Sequence, residues 1–499
     1  MTDTVLDFIR AHAARAPGHE ALVSARAGAG PERVHYGELV ARVDGLAARL
    51  RAAGLRRAQR CGLVARQGAG FIELALAILA ADACLVPIAE DHTGPVLESF
   101  AERAGLHWIV LEREGGADRF ELVARGKVPP VDGHGERDFA ALRPAYLRFT
   151  SGTTSRRKGV ILGHAAILAR LDAANRGLGV DSTDRILWLL PMAHHFVVSI
   201  LLYLRNGATI LLPAGALARS ILELAAAERA TLLYASPYHM SLLAKDTSGL
   251  ELPSLRLAIS TAEGLRADTA RAFEARFGRA IAQALGIIEV GLPVLNVRAA
   301  GEKPDSLGRP LPDYDVWLRG EDGQPLAPPT SPDKTGEICI RGPGLFDAYL
   351  DPWTPARAVL EPDGFRTGDQ GYFDRDGDLY LVGRRANRIN MAGMKFFSEE
   401  VEAVLDAHPG VRRSRVLARE HAHLGEIPVA EIEPADPSRP PTRAELTSHC
   451  RERLPAYKVP REFKIIESLA ETPTGKLARA HSDLAPAGGV ALTGAKVDS

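Results

Sequence analysis

A short segment between residues 149 and 160 carries the side chains best suited to holding phosphate groups. It reads Phe149-Thr-Ser-Gly-Thr-Thr-Ser-Arg-Arg-Lys158-Gly159-Val160, with hydroxyl residues around Gly152 and three cations after them. Hydroxyl groups and free backbone N–H groups in a glycine-containing turn can enclose phosphate oxygens, and Lys158 adds positive charge. The segment is not a Walker A loop, because no second glycine precedes Lys158. A polar linker with a basic end is the alternative interpretation of this segment alone.

Four later segments also carry chemically useful residues, and their order along the chain matters. They are Ala284-Leu-Gly-Ile-Ile-Glu289, which offers a carboxylate after a strand, the turn Thr367-Gly-Asp369, the pair Gly383-Arg384, and Thr472-Pro-Thr-Gly-Lys476, which puts a lysine on a tight turn.

The elements that must position these residues can be read from the apolar pattern. Between residues 36 and 282, helical patterns alternate with short strands that are apolar on both faces. These strands are CGLV (61–64), CLVPI (84–88), WIVL (108–111), ILWLL (186–190), ATILL (208–212), TLLYA (231–235) and RLAI (256–259). Such alternation predicts an α/β fold with doubly wound parallel sheets covered by helices on both faces.

The texture of the sequence changes twice after this region. Gly, Pro and Asp turns around short strands predict a β-rich subdomain between residues 291 and 383. Beyond it, a capping box at Thr442-Arg-Ala-Glu445 and strand-like segments predict a small α+β module. We therefore expect an N-terminal domain over residues 1–383, a C-terminal cap over 384–485 and a flexible tail over 486–499.

Composition limits the possible classes of protein. The 499 residues contain 61 Lys+Arg and 62 Asp+Glu, so the formal charge of -1 gives no support for binding nucleic acid. Four dispersed cysteines without a CxxC pair suggest neither a zinc cluster nor a disulfide framework. No signal peptide or membrane span is predicted, and a cytoplasmic location is the simplest expectation.

In order, these segments resemble the adenylate-forming superfamily of acyl-CoA synthetases, peptide-synthetase adenylation domains and beetle luciferases. TSGTTSRRKG is similar to the pattern T-S-G-[ST]-T-G-x-P-K-G, and Arg366 to Asp369 match R-T-G-D. Gly383 to Ile389 match G-R-x-x-x-x-I, and ETPTGKLAR nearly matches P-x-x-G-K-x-x-R. The resemblance covers nearly the whole chain.

The resemblance implies roles for individual residues in binding ATP, Mg²⁺ and the acid. The β- and γ-phosphates would be held by Thr150, Ser151, Gly152, Thr153, Thr154 and Lys158, and the nucleotide would also contact Ala262, Glu263, Gly286, Ile287, Asp369 and Arg384. Glu289 would help to bind Mg²⁺, and Asp369 would accept hydrogen bonds from the ribose hydroxyls. His194 corresponds to the gate of the acyl pocket, whereas His195 is interpreted as a packed histidine.

The implied chemistry has two steps. Lys476 resembles the mobile catalytic lysine that meets the carboxylate and the α-phosphate, so that an acyl-adenylate forms and pyrophosphate leaves. The cap then rotates about residues 383–386 and brings up a pantetheine channel, in which Gly393 resembles the residue that keeps the channel open. Lys395 either reaches the phosphates of CoA or is a solvated surface lysine.

Several positions depart from the family pattern. Ser155 and Arg157 replace a glycine and a proline of the phosphate loop, and Leu285 and Ile288 replace an aromatic residue and a threonine near the nucleotide. Ala386 replaces the usual Lys or Asp of the hinge. These changes affect nucleotide affinity and the switch, but the phosphate loop, Asp369 and Lys476 remain.

The acid and the acceptor are predicted only as classes. No acidic side chain lies between Met192 and Leu204 to pair with an ammonium group, and Phe196, Val197, Val198, Ile200 and Leu201 favour an apolar or aromatic acid unless they only build a core helix. CoA is the expected acceptor, with the phosphopantetheine of an acyl carrier protein or a non-thiol nucleophile as alternatives. A nucleotide-binding pseudoenzyme, and a monomer or a homodimer, also stay open.

Overall fold

The computed structural model describes residues 4–26, 28–113, 116–125, 135–149, 158–261, 264–360, 364–392, 394–421, 423–470, 477 and 490–491. These residues form two compact units. The first contains the described chain up to Val316 together with Ile340–Phe365, and the second contains Trp317–Cys339 and the chain from Arg366 onwards.

The described strands are numbered in chain order. They are β1 Glu20–Arg26, β2 Ala29–His35, β3 Arg60–Val64, β4 Cys84–Ile88, β5 Trp108–Arg113, β6 Gly116–Ala124, β7 Pro144–Phe149, β8 Gly159–Gly163, β9 Arg185–Trp188, β10 Thr209–Leu212, β11 Leu232–Ala235, β12 Leu257–Ser260, β13 Ile281–Ile287, β14 Gly291–Leu295, β15 Arg309–Pro310, β16 Asp315–Arg319, β17 Pro325–Leu326, β18 Gly336–Arg341, β19 Ala348–Tyr349, β20 Thr354–Pro355, β21 Phe365–Phe373, β22 Leu379–Arg384, β23 Arg388–Met391, β24 Met394–Phe397, β25 Val411–His421, β26 Gly425–Pro434, β27 Glu462–Ile465 and β28 Val490–Ala491.

The described α-helices are numbered in the same way. They are α1 Val5–Arg15, α2 Tyr36–Ala52, α3 Ala69–Ala80, α4 Gly94–Ala104, α5 Gly135–Ala141, α6 His164–Leu178, α7 Met192–His195, α8 Leu201–Arg205, α9 Ala218–Ala227, α10 Pro237–Ala244, α11 Ala267–Phe277, α12 Ser398–Asp406 and α13 Arg443–Arg451. A single π-helical turn, Phe196–Ile200, joins α7 to α8.

Two large sheets form the first unit. The nine-stranded sheet has the order β15-β14-β13-β12-β11-β9-β10-β1-β2, and its strands from β13 to β1 are parallel. The eight-stranded sheet has the order β20-β19-β8-β7-β4-β3-β5-β6, with β7, β4, β3 and β5 parallel. Strands such as β4 and β10 are buried along their whole length, as expected for parallel strands with helices on both faces.

The second unit contains two smaller sheets. A five-stranded sheet has the order β17-β16-β18-β21-β22, and a further sheet runs β24-β23-β26-β27-β28, with β25 paired to β26. Helices α12 and α13 pack on the latter sheet through Val401, Leu405, Leu446 and Cys450. The predicted capping box is present, because the Thr442 hydroxyl accepts from the Glu445 N–H and the Glu445 carboxylate accepts from the Thr442 N–H.

The predicted fold class is confirmed. Strands β3, β4, β5, β9, β10, β11 and β12 coincide with the seven apolar segments within two residues at either end. The parallel strands matter for function because their carboxyl ends meet at one edge of each sheet, where ligands bind in open α/β folds.

Candidate active site

The structure describes only part of the set of candidate residues. Thr150, Ser151, Gly152, Thr153, Thr154, Ala262, Glu263, Gly393 and Lys476 lie outside the described residues. The described candidates are Lys158, His194, Gly286, Ile287 and Glu289 in the first unit, and Asp369 and Arg384 in the second.

Glu289 lies in the turn that joins β13 to β14 and is 9 % exposed. Its carboxylate accepts a hydrogen bond of 3.1 Å from the hydroxyl of Tyr349, and its backbone carbonyl accepts one of 2.8 Å from the Phe346 N–H. Burial raises the pKa of Glu289, and hydrogen bonds and the cations of Arg148 and Arg170 offset this only in part. Burial thus disfavours the charged form of this carboxylate, and a bound cation would stabilise that form.

Lys158 is brought to the same place from a different part of the chain. It stands immediately before β8, and its Nζ lies 4.6 Å from the centre of the Tyr349 ring. Tyr349 thus contacts a cation of the predicted phosphate loop through its ring and the Glu289 carboxylate through its hydroxyl. The structure brings together two predicted site residues that are 131 positions apart in the sequence (289 minus 158).

Glu289 provides a testable consequence for stability. We expect Glu289→Gln to raise the free energy of unfolding at pH 7 by about 1 kcal/mol, because burial disfavours the carboxylate charge whereas an uncharged amide oxygen can still accept from Tyr349. The pKa of Glu289 is higher in the folded protein than in the unfolded chain. The loss of stability that this causes in the wild type is therefore absent below the ordinary pKa and grows as the pH rises through the pKa of the folded protein. The gain should therefore shrink towards pH 4.

Thermal unfolding of both proteins between pH 4 and 8 measures this gain. Exposed Glu251 supplies the control, because Glu251→Gln should leave the unfolding temperature unchanged at every pH. A less stable Glu289→Gln protein at pH 7 would contradict the expectation.

The nucleotide-facing candidates of the first unit lie at the ends of two neighbouring strands. Strands β12 and β13 are parallel, with Ser260 paired to Gln283. Just beyond this pair, the Thr261 hydroxyl donates to the Ala284 carbonyl over 3.3 Å, and a Cβ on Gly286 would lie 3.6 Å from the Thr261 oxygen. Gly286 thus lies beside Thr261, which directly precedes the predicted nucleotide contacts Ala262 and Glu263 in the sequence, and Ile287 is the last residue of β13.

His194 belongs to an irregular helix that is anchored to β7. The hydroxyl of Tyr146 lies 3.4 Å from the Ala193 carbonyl oxygen, and Arg148 donates from Nη1 to the His194 carbonyl. The π-helical turn follows directly, and such turns are frequent at functional sites.

The helix after His194 points most of its apolar residues into the interior. Phe196, Val197, Ile200 and Leu201 are each at most 1 % exposed. The His195 ring lies 6.2 Å from the Trp188 ring and 6.5 Å from the Tyr234 ring, which are themselves stacked at 5.4 Å. His195 is therefore packed among aromatic rings, in agreement with its sequence-based interpretation.

In the second unit, Asp369 and Arg384 face each other across two antiparallel strands. They are register partners in β21 and β22, and the Arg384 Nε lies 3.1 Å from an Asp369 carboxylate oxygen. The turn predicted at Thr367-Gly-Asp369 is wrong, because these residues lie within β21. Gly368 adopts a φ of +76° inside the strand, and the backbone N–H of Asp369 donates to the Thr367 hydroxyl over 3.0 Å. The pairing with Arg384 holds the Asp369 carboxylate at a fixed position beside β22.

Residues around the predicted hinge are tightly packed in this unit. A Cβ on Gly383 would lie 2.7 Å from a Glu399 carboxylate oxygen and 2.8 Å from the Phe397 Cβ, so only glycine fits. Lys395 is paired with Glu321 at 3.1 Å, and Arg388 binds the same carboxylate at 2.8 Å. Lys395 is thus half-exposed and already paired with a carboxylate in this arrangement.

Comparison with known protein families adds a finding over most of the chain. The model of the family described as "AMP-binding enzyme" matches residues 9–350, and the model described as "AMP-binding enzyme C-terminal domain" matches residues 400–476. The chain belongs to the AMP-binding enzyme family. The predicted resemblance to the adenylate-forming superfamily is thereby confirmed.

Individual relatives of this family member differ in length and chemistry. Sulfoacetate–CoA ligase of Cupriavidus necator is 31 % identical over 67 % of this chain and 66 % of the relative. Phosphinothricin tripeptide synthetase PhsC of Streptomyces viridochromogenes is 29 % identical over 94 % of this chain and 44 % of the relative. Feruloyl-CoA synthase of an Amycolatopsis species is 29 % identical over 89 % and 92 %. The chain thus spans less than two thirds of the first two relatives.

Solved structures support the fold of this AMP-binding enzyme. The o-succinylbenzoate CoA synthetase MenE of Bacillus subtilis superposes with a TM-score of 0.83 at 23 % identity, over 98 % of this chain and 100 % of that one. MatB of Rhodopseudomonas palustris gives 0.78 at 22 %, over 96 % and 98 %. Among the described residues, none of the helices has the length and apolar character needed to span a bilayer.

Two residues that contribute to this site were missed by the sequence analysis. Tyr349 lies in a two-residue strand with no motif of its own, so only the fold reveals its contacts with Lys158 and Glu289. Arg148 is a charged residue inside the otherwise apolar strand segment AYLRF, and that contrast was a usable signal.

Proposed function

We propose that this protein activates a carboxylic acid with ATP and transfers the acyl group to the thiol of CoA. The observation that carries the proposal is the contact of Tyr349 with both Lys158 and Glu289, which joins a cation of the phosphate segment to a buried carboxylate. Family membership supports the same chemistry. MenE and MatB have been solved with an acyl-adenylate and with ATP, respectively.

In the first step, an oxygen of the acid's carboxylate forms a bond to the α-phosphorus of ATP, and the bond to pyrophosphate breaks. Both reactants are anions, so positioning and positive charge must lower the barrier. Residues Thr150 to Thr154 and Lys158 hold the phosphates in this proposal, Asp369 holds the ribose with Arg384 beside it, and Lys476 meets the reacting groups.

Glu289 suits a divalent cation because carboxylate oxygens are ligands of Mg²⁺. Burial disfavours the charged carboxylate, and a bound cation would offset that cost. When bound, Mg²⁺ would neutralise charge on the phosphates and help pyrophosphate to leave. Glu289 would hold the ion, while the Tyr349 hydroxyl fixes the orientation of its carboxylate.

The acid is proposed to have an apolar or aromatic body. The absence of an acidic residue between Met192 and Leu204 disfavours α-amino acids, and the aromatic rings of Trp188 and Tyr234 lie beside His195 of that segment. Feruloyl-CoA synthase is by name a ligase of an aromatic acid, whereas sulfoacetate–CoA ligase is named for a doubly anionic one.

In the second step, the thiol of CoA attacks the acyl carbon and AMP leaves. We propose that the cap beginning near residue 384 rotates about residues 383–386 to exchange Lys476 for the thiol channel at Gly393. The thiol of an acyl carrier protein presents the same pantetheine arm, and the likeness to PhsC makes it the acceptor to test beside CoA.

A screen of acids for AMP formation, with and without CoA, tests the proposal. AMP and an acyl-CoA should appear together for at least one acid. Continued AMP release without a thioester on CoA or a carrier protein would favour a non-thiol acceptor. If no acid supports pyrophosphate exchange although ATP binds, the protein is a nucleotide-binding pseudoenzyme instead.

A further inference from the structure

Arg148 occupies the penultimate position of β7, directly before the phosphate segment. Alternate side chains of a strand point to opposite faces. Leu147 and Phe149 pack in the apolar cluster that also contains Ala101 and Phe139. Tyr146 and Arg148 therefore point to the other face, where they contact the carbonyls of Ala193 and His194.

The guanidinium of Arg148 is poorly matched to these surroundings. The residue is partly buried, and its Nε is shut off from solvent and has no hydrogen-bond partner. Burial lowers the pKa of Arg148, while Tyr146 and Glu289 act in the opposite direction. An N–H group that is shut off from water without an acceptor costs free energy, and the oxygen of an anion would supply that acceptor.

Two fully buried arginines show what a structural role looks like in this chain. Arg170 donates to the carbonyls of Gly344 and Ile288, each over 2.9 Å. Arg60 donates to the Gly105 carbonyl over 2.7 Å and pairs with Glu136 at 2.7 Å. Neither Arg60 nor Arg170 has a nitrogen that is shut off from solvent without a partner, whereas the Nε of Arg148 does.

We propose that Arg148 binds a carboxylate or sulfonate oxygen of the acid substrate beside His194. The inference deepens the proposed function, on which it rests, because it names a group that the acid must present to this face of β7. The ligand is assigned to the acid and not to ATP because Arg148 faces the helix of His194, while Lys158 and the phosphate segment follow the end of the strand.

The oxyanion has two possible sources, and they predict different kinetics. The reacting carboxylate is present in every acid and loses its charge as the acyl-adenylate forms, so its contact with Arg148 weakens along the reaction. A second anionic group keeps its charge throughout, so its contact contributes equally to the ground state and the transition state and affects KM alone.

Pyrophosphate exchange with matched acids measures which source applies. Benzoate and hexanoate serve as monoanionic probes, and phthalate, malonate and sulfoacetate serve as doubly anionic probes. Arg148→Met should raise KM for the doubly anionic acids about 10- to 100-fold, with KM for ATP unchanged, and Arg148→Lys should recover part of the loss. An equal rise for benzoate would assign the contact to the reacting carboxylate.

Thermal unfolding separates this role from a structural one. Replacing a partly buried and poorly paired cation by an apolar side chain is often neutral or stabilising, so unliganded Arg148→Met should unfold at or above the wild-type temperature. Arg170→Met is the matched control and should unfold at a lower temperature, because two carbonyls lose their donor. Saturating acid should raise the unfolding temperature of the wild type but not that of Arg148→Met.

Three results would overturn the inference: unchanged KM for every acid in Arg148→Met, a rise in KM for ATP alone, or destabilisation equal to that of Arg170→Met with normal binding of acids. If the wild type binds an acid without exchanging pyrophosphate, the proposed function fails. The role of Arg148 is then decided by whether Arg148→Met abolishes the acid-dependent rise in unfolding temperature.

Discussion

Lys476→Ala should lower the rate of acyl-adenylate formation by about 10³-fold while changing KM for ATP and for the acid only a few-fold. The proposed lysine acts where two anions meet, so its charge is worth most in the transition state, as for a single lost oxyanion donor. ATP–pyrophosphate exchange and single-turnover AMP formation measure this loss.

The second half-reaction gives this prediction its control. A chemically prepared acyl-adenylate, supplied with CoA, should still be converted by Lys476→Ala, since the lysine is proposed to leave the site before the thiol arrives. Lys245→Ala changes an exposed lysine that is distant from Lys476 in the sequence, and it should leave both steps intact. Wild-type exchange by Lys476→Ala would remove the catalytic lysine from the proposal.

Gly393→Trp should show the opposite pattern, with normal pyrophosphate exchange and no detectable thioester. Gly393 lies in the sequence between β23 and β24, whose ends pair through Met391 and Met394. If this hairpin lines the path of the pantetheine arm, an indole there would block the thiol and leave the nucleotide and acid sites unaffected.

Gly393→Ala is the matched variant and should retain most of the thioester formation. Acyl-CoA is measured by chromatography, and exchange is measured in the same preparation. Suppose that Gly393→Trp loses both steps equally while circular dichroism shows an intact fold. This result would contradict the proposal that the cap adopts one position for adenylate formation and another for thioester formation.

The fold could be predicted because each strand has a recognisable local sequence pattern. Segments such as CLVPI and ATILL are short, apolar and separated by helix-length stretches, and that pattern belongs to parallel sheets. The capping box at Thr442 was equally local. Ordered motifs supplied the family, since several weak matches in sequence are jointly specific.

Other features depend on contacts between distant segments and left no local trace. Tyr349 joins Lys158 to Glu289 only because β19 pairs with β8 and the β13–β14 turn comes close to it. The residues Trp317–Cys339 cluster with the second unit because β18 lies beside β21 in the five-stranded sheet. Pairing partners are not encoded in the composition of a single strand.

The π-helical turn Phe196–Ile200 has a consequence for how this family member could diversify. A π turn accommodates one more residue than an α turn, and a residue in an α-helix spans about 100° of rotation. Deleting one residue of the turn would therefore convert it to regular helix and swing Met192–His195 around the helix axis relative to α8. A single-codon deletion would thus redirect all the side chains of this helix, which we propose borders the acid, in one step that no point substitution there can match.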